Sequence, residues 1–310
     1  MTDVRCPGAV LALIAAMCGN GCSSPPPSAT ARPVIRLVRD TLLGAPLSVE
    51  YERRMPHIEV RLVEAEGSIG TLDAIQRGAA DVGFMLGDVA YFSQLGADDQ
   101  DQGRVVRLRG MAALQQVPIH LLVRPGLKIR DISDLRGYRV GAGTALSGQT
   151  RLADLLFRVF KLGSEVPQPG PRTDLLAGVD ATLRTAYYPA PNVFQAALDG
   201  ARLIPIEGPI VETLKREYPF LQSLKIPAGT YPHQDTAVTT IGVGRLFVCR
   251  ADLDEAIVHD LTRHFIEALA LLTAAVPSSL RLTDLELTPA TTLPLHKGAA
   301  QFYRERELSR

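Results

Sequence analysis

Two stretches of small residues each lead from a strand into a helix, and each could hold an anion. Glu66-Gly67-Ser68 precedes one apolar periodic segment, and Ser147-Gly148-Gln149-Thr150 precedes another. Such a turn exposes backbone N–H groups at the positive end of a helix dipole, which favours carboxylates and other anions. Ser68 and Thr150 read equally well as ordinary N-caps, worth about 1 kcal/mol each. Other chemistry is not spelled out. There is no P-loop, and Gly141-x-Gly143 lacks the third glycine of a dinucleotide turn. Gly242-x-Gly244 runs into Arg245-Leu246-Phe247, which reads as strand packing. Ser147 has Ala145 two positions before it and Gln149 two after, so it is not a nucleophile elbow. The six histidines are scattered, and His259 and His264, five apart, point to different faces of a helix. Glu64 and Glu66 lie at one strand end with no acid–base partner in view. The reading is a binding protein and not an enzyme, with no cofactor and no metal.

Composition agrees. Across 310 residues, 33 Lys plus Arg balance 33 Asp plus Glu, so no basic excess marks a nucleic-acid partner. Hydrophobic residues are 46% and charged residues 21%, the mix of a folded chain. Trp is absent and aromatics are 5%, which leaves little for base stacking. With no bulk positive field, anion selectivity must come from a few placed groups: helix starts, hydroxyls and Arg184.

The first thirty residues read as an address. Ala9 to Met17 is an unbroken apolar run after Arg5, too short for the about 20 residues of a membrane span but suited to a secretory signal. Residues 1–21 are expected to be removed, and Cys22 is a lipidation candidate with residues 22–32 as a polar, Pro-rich tether. Cys249 then has no intrachain partner and lies in a strand-like apolar run, as a packed thiol.

The elements that must position the anion turns follow from periodicity. Val34 to Val38 and Ile58 to Val63 read as strands around a helix from Leu42 to Arg54. A helix from Ile69 to Arg77 and a strand from Asp81 to Leu86 complete a parallel βαβ unit. Ala97 to Gly103 is a polar loop. Val105 to Leu108 and Ile119 to Val123 are two further strands, followed by a short strand Arg139 to Gly141 and a helix Leu152 to Leu162. A Pro/Gly-rich loop at 163–172 leads to strands Asp180 to Tyr187 and Arg202 to Ile206, separated by a helix Val193 to Leu198. Val211 to Tyr218 is helical, and the long strand Thr239 to Arg250 precedes a helix Asp254 to Thr273 with the stripe Ile257, Leu261, Phe265, Ala268, Leu272. The last 35 residues read as short helices joined by Pro-containing turns. Two α/β lobes with a cleft between them result.

Several segments in order also resemble a known family. They are Glu66-Gly-Ser-Ile-Gly-Thr-Leu-Asp-Ala-Ile-Gln-Arg-Gly-Ala-Ala-Asp-Val-Gly-Phe84, Asp88-Val-Ala-Tyr91, Pro118-Ile-His-Leu-Leu-Val-Arg124 and Asp134-Leu-Arg-Gly-Tyr-Arg-Val-Gly141. Tyr218-Pro-Phe-Leu, Ile226-Pro-Ala-Gly-Thr-Tyr-Pro232, Thr240-Ile-Gly-Val243 and Pro294-Leu-His-Lys-Gly-Ala-Ala-Gln-Phe-Tyr303 follow. From about Arg53 onward the chain resembles the TAXI-type solute receptors of TRAP (tripartite ATP-independent periplasmic) transporters. The resemblance implies a type II periplasmic-binding-protein fold, α/β in class. Lobe I would be 33–123 plus 248–310 and lobe II 124–247, joined by a hinge. It implies a monomer in the periplasm, tethered if Cys22 carries lipid. It would capture a small organic anion, a dicarboxylate or acidic amino acid, for the membrane permease subunits of a TRAP transporter. By position, Gly67, Ser68 and Thr71 fall on the cleft loop of lobe I, with Asp88 and Tyr91 beside it. Ser147, Gly148 and Thr150 fall on the loop of lobe II, and Tyr188 and Tyr231 are further cleft candidates. The chain departs from the family at Val34 to Gly44, where the usual glycine-rich loop after the first strand is missing. That departure motivates an alternative: a degenerate receptor acting as a sensory or partner-binding module without transport.

Overall fold

Among the described residues, the alternating and buried apolar runs assemble into a nine-stranded mixed sheet. We describe residues 32–40, 42–94, 108–142, 149–162, 174–274 and 292–308 of a computed structural model. The described lobes belong to one compact unit, Pro33–Arg310. The expected signal segment, Cys22, the 97–103 loop, Ser147, Gly148 and the 163–172 loop lie outside the described residues.

The first elements are β1 (Val34–Val38), α1 (Gly44–Arg54), β2 (Glu59–Val63), α2 (Gly67–Gln76), β3 (Val82–Leu86) and α3 (Gly87–Gln94). β1 pairs in parallel with β2, Val34 opposite Glu59 through Val38 opposite Val63, and with β3 at Leu37 and Val82. Four of the five β3 residues are buried, as a central strand covered on both faces requires. α1 lays Leu47 and Tyr51 onto this sheet, and the Tyr51 hydroxyl donates to the Leu261 carbonyl (2.9 Å).

Next come β4 (Leu108–Val123), β5 (Val140–Gly141), α4 (Gln149–Phe160), β6 (Ala181–Thr185), α5 (Pro191–Leu198), β7 (Arg202–Ile204), α6 (Pro209–Glu217), β8 (Leu221–Ile226) and β9 (Val238–Arg250). The strand order is β2-β1-β3-β9-β4-β6-β5, with β7 on β4 and β8 on β9. β4 and β9 are the structural spine. Leu108 to Leu114 of β4 and Leu246 to Cys249 of β9 pack in the first lobe's core with Phe84 and Leu37. Ile119 to Val123 and Ile241 to Val243 pack in the second lobe's core with Leu156 and Phe160 or with Tyr231. The antiparallel ladder between the two strands shifts register at Gly110/Ala112 and Ala113/Gln116, where they leave one core for the other.

The structure corrects three local expectations. β4 is one 16-residue strand and not two short ones. Pro118 and Gln115-Gln116 break its local pattern, but the β9 ladder carries through them, with Pro118 opposite Gly242. α3 and β8, which local pattern did not mark, exist because β9 packs against the one and pairs with the other. Residues 275–291 lie outside the described residues; the described part of the C-terminal segment ends in a 12-residue helix, α8 (Lys297–Leu308), lying on α7 (Glu255–Ala274).

α7 buries Val258, Leu261, Phe265, Ala268, Leu269 and Leu272, the expected stripe with Ile257 at its edge. α8 approaches it closely at Gly298. A Cβ there would stand 2.1 Å from the Glu255 carbonyl oxygen and 2.8 Å from the His259 nitrogen, both backbone. Backbone cannot rotate away, so Gly298→Ala should destabilise by about 3 kcal/mol, the upper end for overpacking. Urea unfolding checks this, and an unchanged midpoint would refute the close contact.

Candidate functional site

The end of β1, the start of α2, the end of β3 and the middle of β9 converge around a cavity of about 200 Å³ in the first lobe. α2 begins at Gly67, whose φ of +63° is open to glycine at little cost. Its N-cap position, Glu66, is extended and makes no side-chain cap, so the first amides of α2 keep their donors for another acceptor. Ser68 is buried and its Oγ accepts the Leu86 amide (3.0 Å), fixing α2 to the end of β3. The Thr71 hydroxyl turns back to donate to the Gly67 carbonyl (2.9 Å).

Arg245 enters the same cavity from β9. It is 8% exposed, and its guanidinium lies 5.0 Å from the centroid of the Phe84 ring. The Asp40 carboxylate pairs with it. Tyr187, which follows β6 in the second lobe, is buried beside it and interacts with it electrostatically. Burial by itself would lower the Arg245 pKa, but Tyr187 and Asp40 outweigh it, and the group is held charged above its usual range. Burial raises the Tyr187 pKa, with Arg245 pulling the other way. A buried guanidinium, a helix start and a serine thus face one small cavity, an arrangement that recognises an oxyanion.

Of the ten ligand-site residues expected from sequence, Gly67, Ser68 and Thr71 line this cavity together. Asp88, 1% exposed, sits in the first turn of α3, outside the lining but well placed against the helix dipole. Tyr91 belongs to an aromatic cluster with Phe92, Tyr218 and Phe220, with centroids 5.3–6.4 Å from its own, which packs α3 onto the second lobe. Tyr188 and Tyr231 pack in the second lobe's core. The Tyr231 hydroxyl accepts the Ala190 amide (3.0 Å) and lies 2.8 Å from His120 Nε2, and burial pushes its pKa up to about 12. Arg184 stands opposite His120 on the β4–β6 ladder, away from the cavity. Thr150 lies in the first turn of α4. Asp40, Phe84, Tyr187 and Arg245 were missed. Arg245 had one legible signal: it is the single charge inside the run Ile241-Gly-Val-Gly-Arg-Leu-Phe-Val-Cys249.

Two α/β lobes threaded by a shared pair of long strands define the periplasmic-binding-protein fold. The profile of the NMT1-like family matches residues 42–306, and the chain belongs to that family. Among solved structures the chain is similar to the periplasmic aliphatic sulphonate binding protein SsuA from Escherichia coli. The two share 18% identity over 90% of this chain and 94% of that one, with a TM-score of 0.51. It is also similar to XAC2383 from Xanthomonas citri bound to ATP, at 14% identity over 88% of this chain and 98% of that one, TM-score 0.54. The chloride-bound form of XAC2383 aligns over 89% of this chain and 99% of that one, at 14% identity and a TM-score of 0.52. Among the described residues no helix is long and apolar enough to cross a membrane.

Proposed function

We propose that this protein is an extracytoplasmic solute receptor that encloses a small organic anion between its lobes and presents it to membrane permease subunits. The observation that carries the reading is the buried Arg245 guanidinium on a cavity that Ser68 and the start of α2 also line. The cavity of about 200 Å³ is smaller than the roughly 300–1,000 Å³ typical of drug-sized ligands, which suits a compact solute. The sulphonate of SsuA's name and the ATP and chloride held by XAC2383 are anions, and they support the same ligand class here. The TAXI-like segments favour a dicarboxylate or acidic amino acid and a TRAP-type permease. The apolar run at 9–17 supports export to the periplasm, with Cys22 as the anchor. The working form is a monomer, and closure, not chemistry, is the mechanism. Bending of β4 near Gln116 and β9 near Gly244, where the two strands pass from one core to the other, brings the lobes together. Ligand contacts from both lobes stabilise the closed state over the open one.

A thermal-shift panel of dicarboxylates, acidic amino acids and alkanesulphonates tests this. A true ligand at 100 times its Kd should add about 2.7 kcal/mol of stability, and Arg245→Gln should abolish the gain. A folded protein that no organic acid stabilises would overturn the reading.

A further inference from the structure

Asp40 makes a set of contacts that an anionic ligand would otherwise make. One carboxylate oxygen accepts the amides of Leu42 (3.0 Å) and Leu43 (2.7 Å), at the start of α1. The other accepts from Arg245, 205 positions away in the chain. Both oxygens are therefore engaged at a helix start and on a buried guanidinium, the two kinds of donor that hold oxyanions. The carboxylate borders the same cavity that Ser68 and Arg245 line. Its own side chain is 17% exposed and that of Arg245 9%, so the pair is largely withdrawn from solvent while still reachable.

Resting on the reading that this cavity receives an anion, we propose that Asp40 is a tethered surrogate ligand that sets the specificity of the site. In the free protein its carboxylate satisfies Arg245. An incoming anion binds by exchange, taking the guanidinium as Asp40 withdraws toward the α1 amides that already hold it. A buried, uncompensated guanidinium is costly, and the tethered carboxylate removes that cost while the site waits. The consequence is a threshold. Ligand affinity is lower than the naked Arg245 would give, by the strength of the contact that must be broken. Simple inorganic anions, which gain little beyond Arg245, are rejected, whereas a ligand that also reaches the start of α2 and the second lobe is accepted.

The test uses sulfate and methanesulfonate as probes, titrated calorimetrically into the full chain at constant ionic strength. Asp40→Asn removes the charge, and Asp40→Ser removes it while keeping a side chain able to cap α1. Either variant that folds should bind both probes at least tenfold more tightly than the unsubstituted protein, and adding Arg245→Gln should cancel the gain. If neither variant folds alone, sulfate should restore folding at concentrations that leave the Arg245→Gln forms unfolded. Unchanged or weaker probe affinity, unchanged folding in sulfate, or a gain that survives Arg245→Gln would overturn exchange. The outcome is separable from the receptor reading. Tightened sulfate binding with no organic-acid ligand would sink the receptor alone, and an organic acid held at Arg245 with no effect of Asp40 would sink the surrogate alone.

Discussion

Asp81→Ala should cost about 3 kcal/mol of stability, the low end for breaking a buried ion pair because its partners are partly solvated. Asp81 precedes β3 and its side chain is 4% exposed. Its carboxylate accepts the Arg36 amide (2.8 Å), Arg36 Nε (2.9 Å) and Nη2 (2.6 Å), and Arg250 Nη1 (3.1 Å). Arg36 belongs to β1 and Arg250 to β9, so one carboxylate ties together both neighbours of β3. Removing it leaves the Arg36 amide without that acceptor, Arg36 with the Gly78 carbonyl and Arg250 with Asp252 alone, in a partly dry site. Truncating Arg250 should do less, because Asp81 keeps its contacts to Arg36, and what is lost is one bond to Asp81 and the surface pair to Asp252. Paired urea titrations read both values. A loss below about 1 kcal/mol for Asp81→Ala, the range of exposed pairs, would show that the staple is not structural.

The second large effect is acid sensitivity from His120. The residue is fully buried on β4, with the Tyr231 hydroxyl at Nε2 and the Arg184 carbonyl 3.4 Å from Nδ1. Burial lowers its pKa to about 4. Between about pH 6.5, the ordinary histidine value, and pH 4, the unfolded chain binds a proton that the folded chain refuses. Stability therefore rises with pH across that window and is lost as pH falls, by up to about 3 kcal/mol at the acid end. His296, lowered by burial, pulls in the same direction. The difference between the parent protein and His120→Gln isolates the His120 share. Stability profiles that stay parallel from pH 7 to pH 4 would refute it.

Much of the first lobe was legible from local pattern. The alternation in Ile58 to Val63, the run Asp81 to Leu86 and the helical period between them needed only neighbours in the chain. The same locality made Gly67, Ser68 and Thr71 visible as a strand–turn–helix. The sequence points to Tyr188, whereas Tyr187 lies beside Arg245, because which side of a chain leaving a strand turns inward depends on the pairing of β6 with β4. Tyr231 looked like a cleft aromatic, but its hydroxyl is spent on His120 and Ala190 inside the second core. The continuity of β4 through Pro118 was hidden for a similar reason: a ladder is a property of two strands.

By itself the sequence determined the α/β class, the neutral charge that leaves anion recognition to a few placed groups, and one of the site's turns. Those are read from period, composition and adjacent residues. The tertiary structure alone decided that Asp40, Arg245 and Tyr187 meet. They come from the end of β1, the middle of β9 and the chain after β6, and they are brought together by register between strands far apart in the chain. An arginine in an apolar strand says only that something must satisfy its charge. The carboxylate that does so is set by the fold, since a buried guanidinium persists only where packing delivers a partner.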